Sequence, residues 1–328
     1  MLLSTHKRIA ERIATELKLD LHETASFIKG IVRPDYWKDY PHHYGKEDKI
    51  RRYILDARRL YLEGKTLDSL YNLGIALHYI QDRWVSLPGW HIQHGVYEDE
   101  IDRMPFVDDV TEIIKDIDIS VFWKDSPLAK MNPEKFHEIL EDSRKRYFAI
   151  IERLTRFEHL CRNRFDRLDG KTVESMTLSI ALLERPKLGS PIHDFNLAYK
   201  VSLLVALSVY MPKISQSLQE TLTKLKEEYQ KKLEEAEASL ARELTNLQRR
   251  IDELERKKSF KNKLRKLACK VRMWFKRKEY ENRDHLRRVR NAYYREVASL
   301  IRMYENWYKV EIPELRVEDV KKRLENLP

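Results

Sequence analysis

Glycine is scarce in this 328-residue chain: there are eight, and the last is Gly189. No glycine-rich loop of the kind that cradles nucleotide phosphates is present, which disfavours P-loop and dinucleotide-binding folds. Proline is absent between Pro212 and Pro313. A stretch of 100 residues with neither helix breaker is not a loop-rich β-domain and reads as helix. The only cysteines, Cys161 and Cys269, are too few for a disulfide scaffold and read as reduced, intracellular thiols. The N-terminus has no apolar core of the length a signal peptide needs. The longest apolar stretch, Leu197–Met211, contains Lys200 and falls short of the roughly 20 residues of a membrane span. It reads as a buried central helix. These absences predict an all-α, cytoplasmic protein.

What is there divides in two. All eight glycines lie in residues 1–212, where helical periodicity recurs. Ile50, Tyr53, Ile54, Ala57, Leu60 and Tyr61 share one face of a helix over 46–64, which Gly64 ends. A second helix spans 66–84, and others are expected at 7–28, 133–165 and 193–211. This part reads as an α-helical domain.

Residues 213–328 have a different pattern. From Leu218 the apolar positions step mostly by 4-4-3 through Ile251 and Leu254, an 11-residue period that fits a nearly straight coiled coil. A second stripe runs from Leu286 through Tyr293, Val297 and Tyr304 to Trp307. Together they predict a long antiparallel helical coiled-coil hairpin, with homodimerisation of the first arm as the competing arrangement. A short helix is expected at 317–326.

Between the arms, residues 256–278 hold 12 Lys or Arg and no Asp or Glu. As a helix, this segment gathers Phe260, Leu264, Leu267, Val271, Trp274 and Phe275 on one face. Lys261, Arg265, Lys266, Lys270, Arg272 and Lys276 fill the flanks and back. Basic amphipathic helices of this kind suit an anionic membrane surface. Nucleic acid is the other anionic candidate, and packing of the apolar face against the hairpin is the plain alternative. The chain's net charge is +10, yet without these 12 residues it carries 51 Lys and Arg against 53 Asp and Glu. The excess charge is therefore local, which favours the membrane.

Seven of the 11 histidines fall within the first 94 residues. His78 and Asp82 stand four apart on a helix, so both project from one face. Imidazole nitrogen and carboxylate oxygen at that spacing form a chelating pair for zinc. His94 and Glu98 repeat the spacing. His91 lies between the pairs, and His6, Asp35, His42 and His43 lie upstream. Gly74, one turn before His78, leaves room for a metal or a second helix. One such pair would be unremarkable on a helix surface, but two pairs and four further histidines point to a metal site. His193-Asp194 also forms an HD dipeptide, but Asp194 reads as the cap of a helix beginning at Phe195.

These residues resemble the zinc-dependent phospholipase C family, whose fold group includes the P1-type nucleases. The similarity is best over residues 24–102, around Ile50-Arg-Arg-Tyr53, Gly64 and the His78-Tyr-Ile-Gln-Asp82 signature. The resemblance implies an all-α phospholipase C/P1 nuclease-like domain with up to three clustered zinc ions. It implies metal-ligand roles for His6, Asp35, His42 or His43, His78, Asp82, His91, His94 and Glu98. Asp82 would bridge two metals, and Asp35 would also act as general base. Secreted members ligate metal through the amine of a processed N-terminal tryptophan. This chain begins Met1-Leu2, and the Met1 amine could take that place. The expected activity is phosphodiester hydrolysis with a phospholipid as favoured substrate. A nuclease, or a tethering protein with a structural metal, are the alternatives.

Overall fold

In the computed structural model the described residues are 1–37, 45–85, 94–107, 119–211, 213–257, 259–311 and 315–327. They are helical and contain no strand. The chain forms two compact units: residues 1–215 with 305–309, and residues 216–304 with 310–328.

The first unit begins with α1 (Leu3–Glu16), α2 (Leu21–Tyr36), α3 (Glu47–Leu62), α4 (Thr66–Arg83) and α5 (His94–Arg103). The helix expected over 7–28 is in fact two. Lys18 takes the left-handed conformation, φ 56°, and breaks the chain. Asp20 then restarts it with a capping box: its carboxylate accepts from the Glu23 N–H, and the Glu23 carboxylate accepts from the Asp20 N–H. Gly64, at φ 81°, ends α3 as expected.

Next come α6 (Ile119–Trp123), α7 (Pro127–Met131), the 31-residue α8 (Pro133–Asn163), α9 (Gly170–Ala181) and α10 (Pro191–Val209). By length and composition α10 could cross a membrane, but 83% of its apolar window is buried within the protein. It is the core helix, packed by α1, α3, α4, α5, α8 and α9. It starts earlier than expected, with Ser190 as N-cap. Asp194 therefore lies inside the helix, fully buried, and accepts a hydrogen bond of 2.8 Å from the Tyr97 hydroxyl rather than capping.

Arg58 of α3 is buried without exposure. Its guanidinium donates to the carbonyls of Trp307, Val209 and Met211. Burial pushes its pKa down to about 10, so it stays charged at neutral pH. Trp307, which the apolar stripe assigned to the hairpin, is buried in this first unit, with its indole N–H 3.1 Å from the Met211 sulfur.

The second unit contains α11 (Gln216–Glu255), α12 (Phe260–Glu281), α13 (Asp284–Tyr304) and α14 (Val317–Glu325). At 1.5 Å per residue, α11 is about 60 Å long. The chain returns along it as two helices, α12 and α13, separated where Arg283 takes φ 54°. Lys266 pairs with Glu255, Lys276 lies 3.0 Å from Glu243, and Tyr293 stacks on Tyr229 at 4.3 Å. Numbers rise on one side as they fall on the other, so the packing is antiparallel. Tyr294, Val297, Ala298, Ile301 and Tyr304 form the buried side of α13.

Candidate metal centre

Two glycines set the geometry. A Cβ on Gly74 would lie 2.5 Å from the Phe27 carbonyl oxygen and 2.7 Å from the Ile31 nitrogen. A Cβ on Gly30 would collide with the Tyr71 carbonyl. Helices α2 and α4 therefore cross backbone to backbone, which only glycine permits at both positions. Gly74 makes room for a helix, one of the two possibilities its spacing suggested. About one turn beyond the crossing, α4 presents His78 and α2 presents Asp35, with His78 Nε2 3.7 Å from Asp35 Oδ1.

One turn further along α4, Asp82 Oδ2 lies 3.3 Å from His78 Nε2. From α1, His6 stacks on His78 with ring centroids 4.2 Å apart and places Nε2 3.2 Å from Asp82 Oδ1. His6 and His78 are fully buried, and Asp82 is 3% exposed. One ligand atom from each of these three side chains lies within 4.8 Å of the others.

Gln81 orients His6. Its Oε1 lies 2.6 Å from His6 Nδ1. A carbonyl oxygen only accepts, so Nδ1 carries the proton, and in the neutral ring Nε2 presents its lone pair toward Asp82. His6 Nε2 is buried and makes no hydrogen bond. A buried lone pair facing a carboxylate is costly unless a cation or proton lies between them. The donor set, two imidazoles and one carboxylate, matches zinc's preference for nitrogen and oxygen. The residues thus fit a zinc ion. Gln81 was missed in reading the sequence, although it lies three residues after His78 on the same face.

Burial, followed by the neighbouring His6, lowers the pKa of His78 despite the carboxylates nearby. That favours neutral imidazole, the form that ligates metal.

The Met1 amine enters the same site. It lies 2.6 Å from Asp82 Oδ1 and 2.9 Å from Glu98 Oε1. Burial opposes its charge, but the two carboxylates outweigh that and raise its pKa above 8.0.

Helix α5 is held where Glu98 can reach the amine. Asp102 accepts from the Ser4 hydroxyl at 2.9 Å and the Thr5 hydroxyl at 2.6 Å. Arg8 donates to the Asp102 and Met104 carbonyls. On the other side Tyr97 anchors α5 to α10 through Asp194. His94 Nε2 lies 3.3 Å from Glu98 Oε1 at the rim, where His94 is far more exposed than the buried triplet.

Of the residues expected from sequence, His6, Asp35, His78, Asp82, His94 and Glu98 are linked by these distances. His42, His43 and His91 lie outside the described residues. No curated protein and no solved structure matches the chain. Residues 5–153, which hold every one of the six linked side chains, match the family model described as zinc-dependent phospholipase C, and that is the family this chain resembles.

Proposed function

We propose that this protein is a zinc-dependent phosphodiester hydrolase acting on phospholipids in the manner of a phospholipase C. The observation carrying this reading is the buried His6–His78–Asp82 donor set inside the segment that matches the family. Zinc bound there would supply a Lewis acid that acidifies water and offsets charge on a phosphoryl oxygen.

The chain's own residues do the rest. His6, His78 and Asp82 would hold the ion, with Gln81 fixing the His6 tautomer. Asp82 has two oxygens facing different partners, Oδ1 toward His6 and the Met1 amine and Oδ2 toward His78. That arrangement suits a carboxylate shared between two ions. His94, Glu98 and the Met1 amine would serve a second ion, once the amine has lost its proton. Asp35 would take a proton from the attacking water, a role supported by its partial exposure and its position 3.7 Å from His78.

The test pairs elemental analysis with hydrolysis of a choline phosphodiester, a generic phosphodiester and single-stranded DNA. Wild type should contain zinc and release the phosphorylated head group. Asp82→Ala should lose both metal and activity. Asp35→Asn should keep metal while kcat falls by about 10²–10⁴-fold. Full activity in Asp82→Ala would overturn the reading, and cleavage confined to DNA would reassign the substrate. An added N-terminal Gly-Ser should lower the metal content if the Met1 amine ligates.

A further inference from the structure

The basic helix α12 does not bury its apolar face. Phe260, Leu264, Leu267, Val271, Trp274 and Phe275 are 48–77% exposed, and no α12 residue is buried. The half-buried positions are Asn262, Lys266, Cys269, Met273, Lys276 and Glu279, a separate stripe that faces α11. At 100° per residue the two stripes lie on opposite sides of the helix. The helix is thus held to α11 by its polar side. Lys266 and Lys276, expected among the flanking charges, are turned inward to Glu255 and Glu243.

The same geometry sorts the remaining cations. Lys261, Arg265 and Arg272 line one edge of the apolar stripe, while Lys263, Lys270 and Arg277 line the other. All six are exposed. An outward apolar stripe between two cationic edges matches the interfacial region of an anionic bilayer, with acyl chains below and phosphate groups on either side. Trp274 and Phe275 suit the headgroup boundary. Nucleic acid would not require the aliphatic Leu264, Leu267 and Val271 on that face.

We infer that α12 is an interfacial membrane anchor that docks this protein on anionic phospholipid surfaces. The residues of α12 alone carry this inference, and it needs no activity at the metal centre.

The experiment is flotation of the full-length protein with vesicles of phosphatidylcholine, or of phosphatidylcholine containing phosphatidylserine. A chelator is present so that hydrolysis plays no part. The protein should float only with the phosphatidylserine vesicles, and its tryptophan emission should shift to the blue. That shift should vanish in Trp274→Phe. Trp274→Ser/Phe275→Ser and Lys263→Glu/Lys270→Glu should each bind at least about tenfold more weakly, with unchanged circular dichroism. Absence of phosphatidylserine-dependent flotation, or wild-type binding by both double variants, would overturn the proposal. So would light scattering that shows a dimer abolished by the Trp274/Phe275 variant, because the face would then be covered by a second copy. Binding of single-stranded DNA in place of vesicles would reassign the surface to nucleic acid. Hydrolysis of a soluble short-chain phosphodiester is measured separately, so a failed docking test leaves the catalytic reading standing and the reverse also holds.

Discussion

His6 and His78 stack ring on ring at 4.2 Å, although 72 residues of chain separate them. Two imidazoles so close and so buried cannot both be charged without a large cost. In metal-free protein the His78 pKa is lowered from its usual 6.5 by burial and then by His6. As pH falls below about 6.5, the unfolded chain therefore takes up a proton at this residue before the folded one does. Stability from this group is complete above that pH and declines as pH falls toward the lower folded value. The Met1 amine works the other way: its pKa is raised, so its contribution is complete below 8.0 and is lost as pH rises through the higher folded value. Thermal melts in chelator should give a plateau between about pH 6.5 and 8 that falls on both sides. An N-terminal extension should remove the alkaline decline; a decline unchanged by the extension would exclude the amine as its source.

Gly74→Ala should disturb the helix crossing. The new Cβ would meet main-chain atoms of Phe27 and Ile31, which cannot swing away as a side chain could. Overpacking of this kind costs about 1–3 kcal/mol. Chemical denaturation should register that loss, and kcat should fall with it, because the crossing sets the separation of His78 from the proposed base Asp35. Wild-type stability in this variant would show that α2 and α4 do not meet here.

Gln81→Leu tests orientation without removing a ligand. Loss of the acceptor for His6 Nδ1 frees the ring to rotate or change tautomer. Metal affinity should fall about 10–100-fold, the usual cost of losing such a supporting hydrogen bond. Gln81→Glu keeps an acceptor and should retain most of the affinity. Calorimetric zinc titration of both variants separates positioning from simple packing.

Arg58→Met should be among the most destabilising substitutions in the first unit. It leaves the buried carbonyls of Trp307, Val209 and Met211 without their donor. Each unsatisfied buried group costs about 1–3 kcal/mol, so a total of about 3 kcal/mol or more is expected in urea unfolding. A loss below about 1 kcal/mol would mean that the carbonyls find other donors.

The sequence made some of this legible and hid the rest for physical reasons. Spacing alone located α3 and α4, since burial repeats with the turn of a helix. It also paired His78 with Asp82 and His94 with Glu98, because four residues make about one turn. The break between α1 and α2 was harder to see, since Lys18 is not a residue that favours positive φ. The Asp20–Glu23 capping signal was nevertheless available. Trp307 fits the hairpin's periodicity, yet its side chain is buried with Met211 in the first unit, a non-local choice that periodicity does not encode. The same holds for Arg58, whose acceptors are main-chain carbonyls with no sequence signature. His6 was recognisable from its resemblance to the family, but its tautomer partner Gln81 became visible only once α1 lay against α4.

The ion pairs of Lys266 with Glu255 and Lys276 with Glu243 have a role apart from their modest strength. They mark the roll of α12 about its own axis. Most surface helices turn their greasy side inward and their charges outward; α12 does the reverse. Two exposed ion pairs contribute little, less than burial of the apolar stripe would return. Among the described helices, α12 therefore has the most free energy to gain from a nonpolar surrounding.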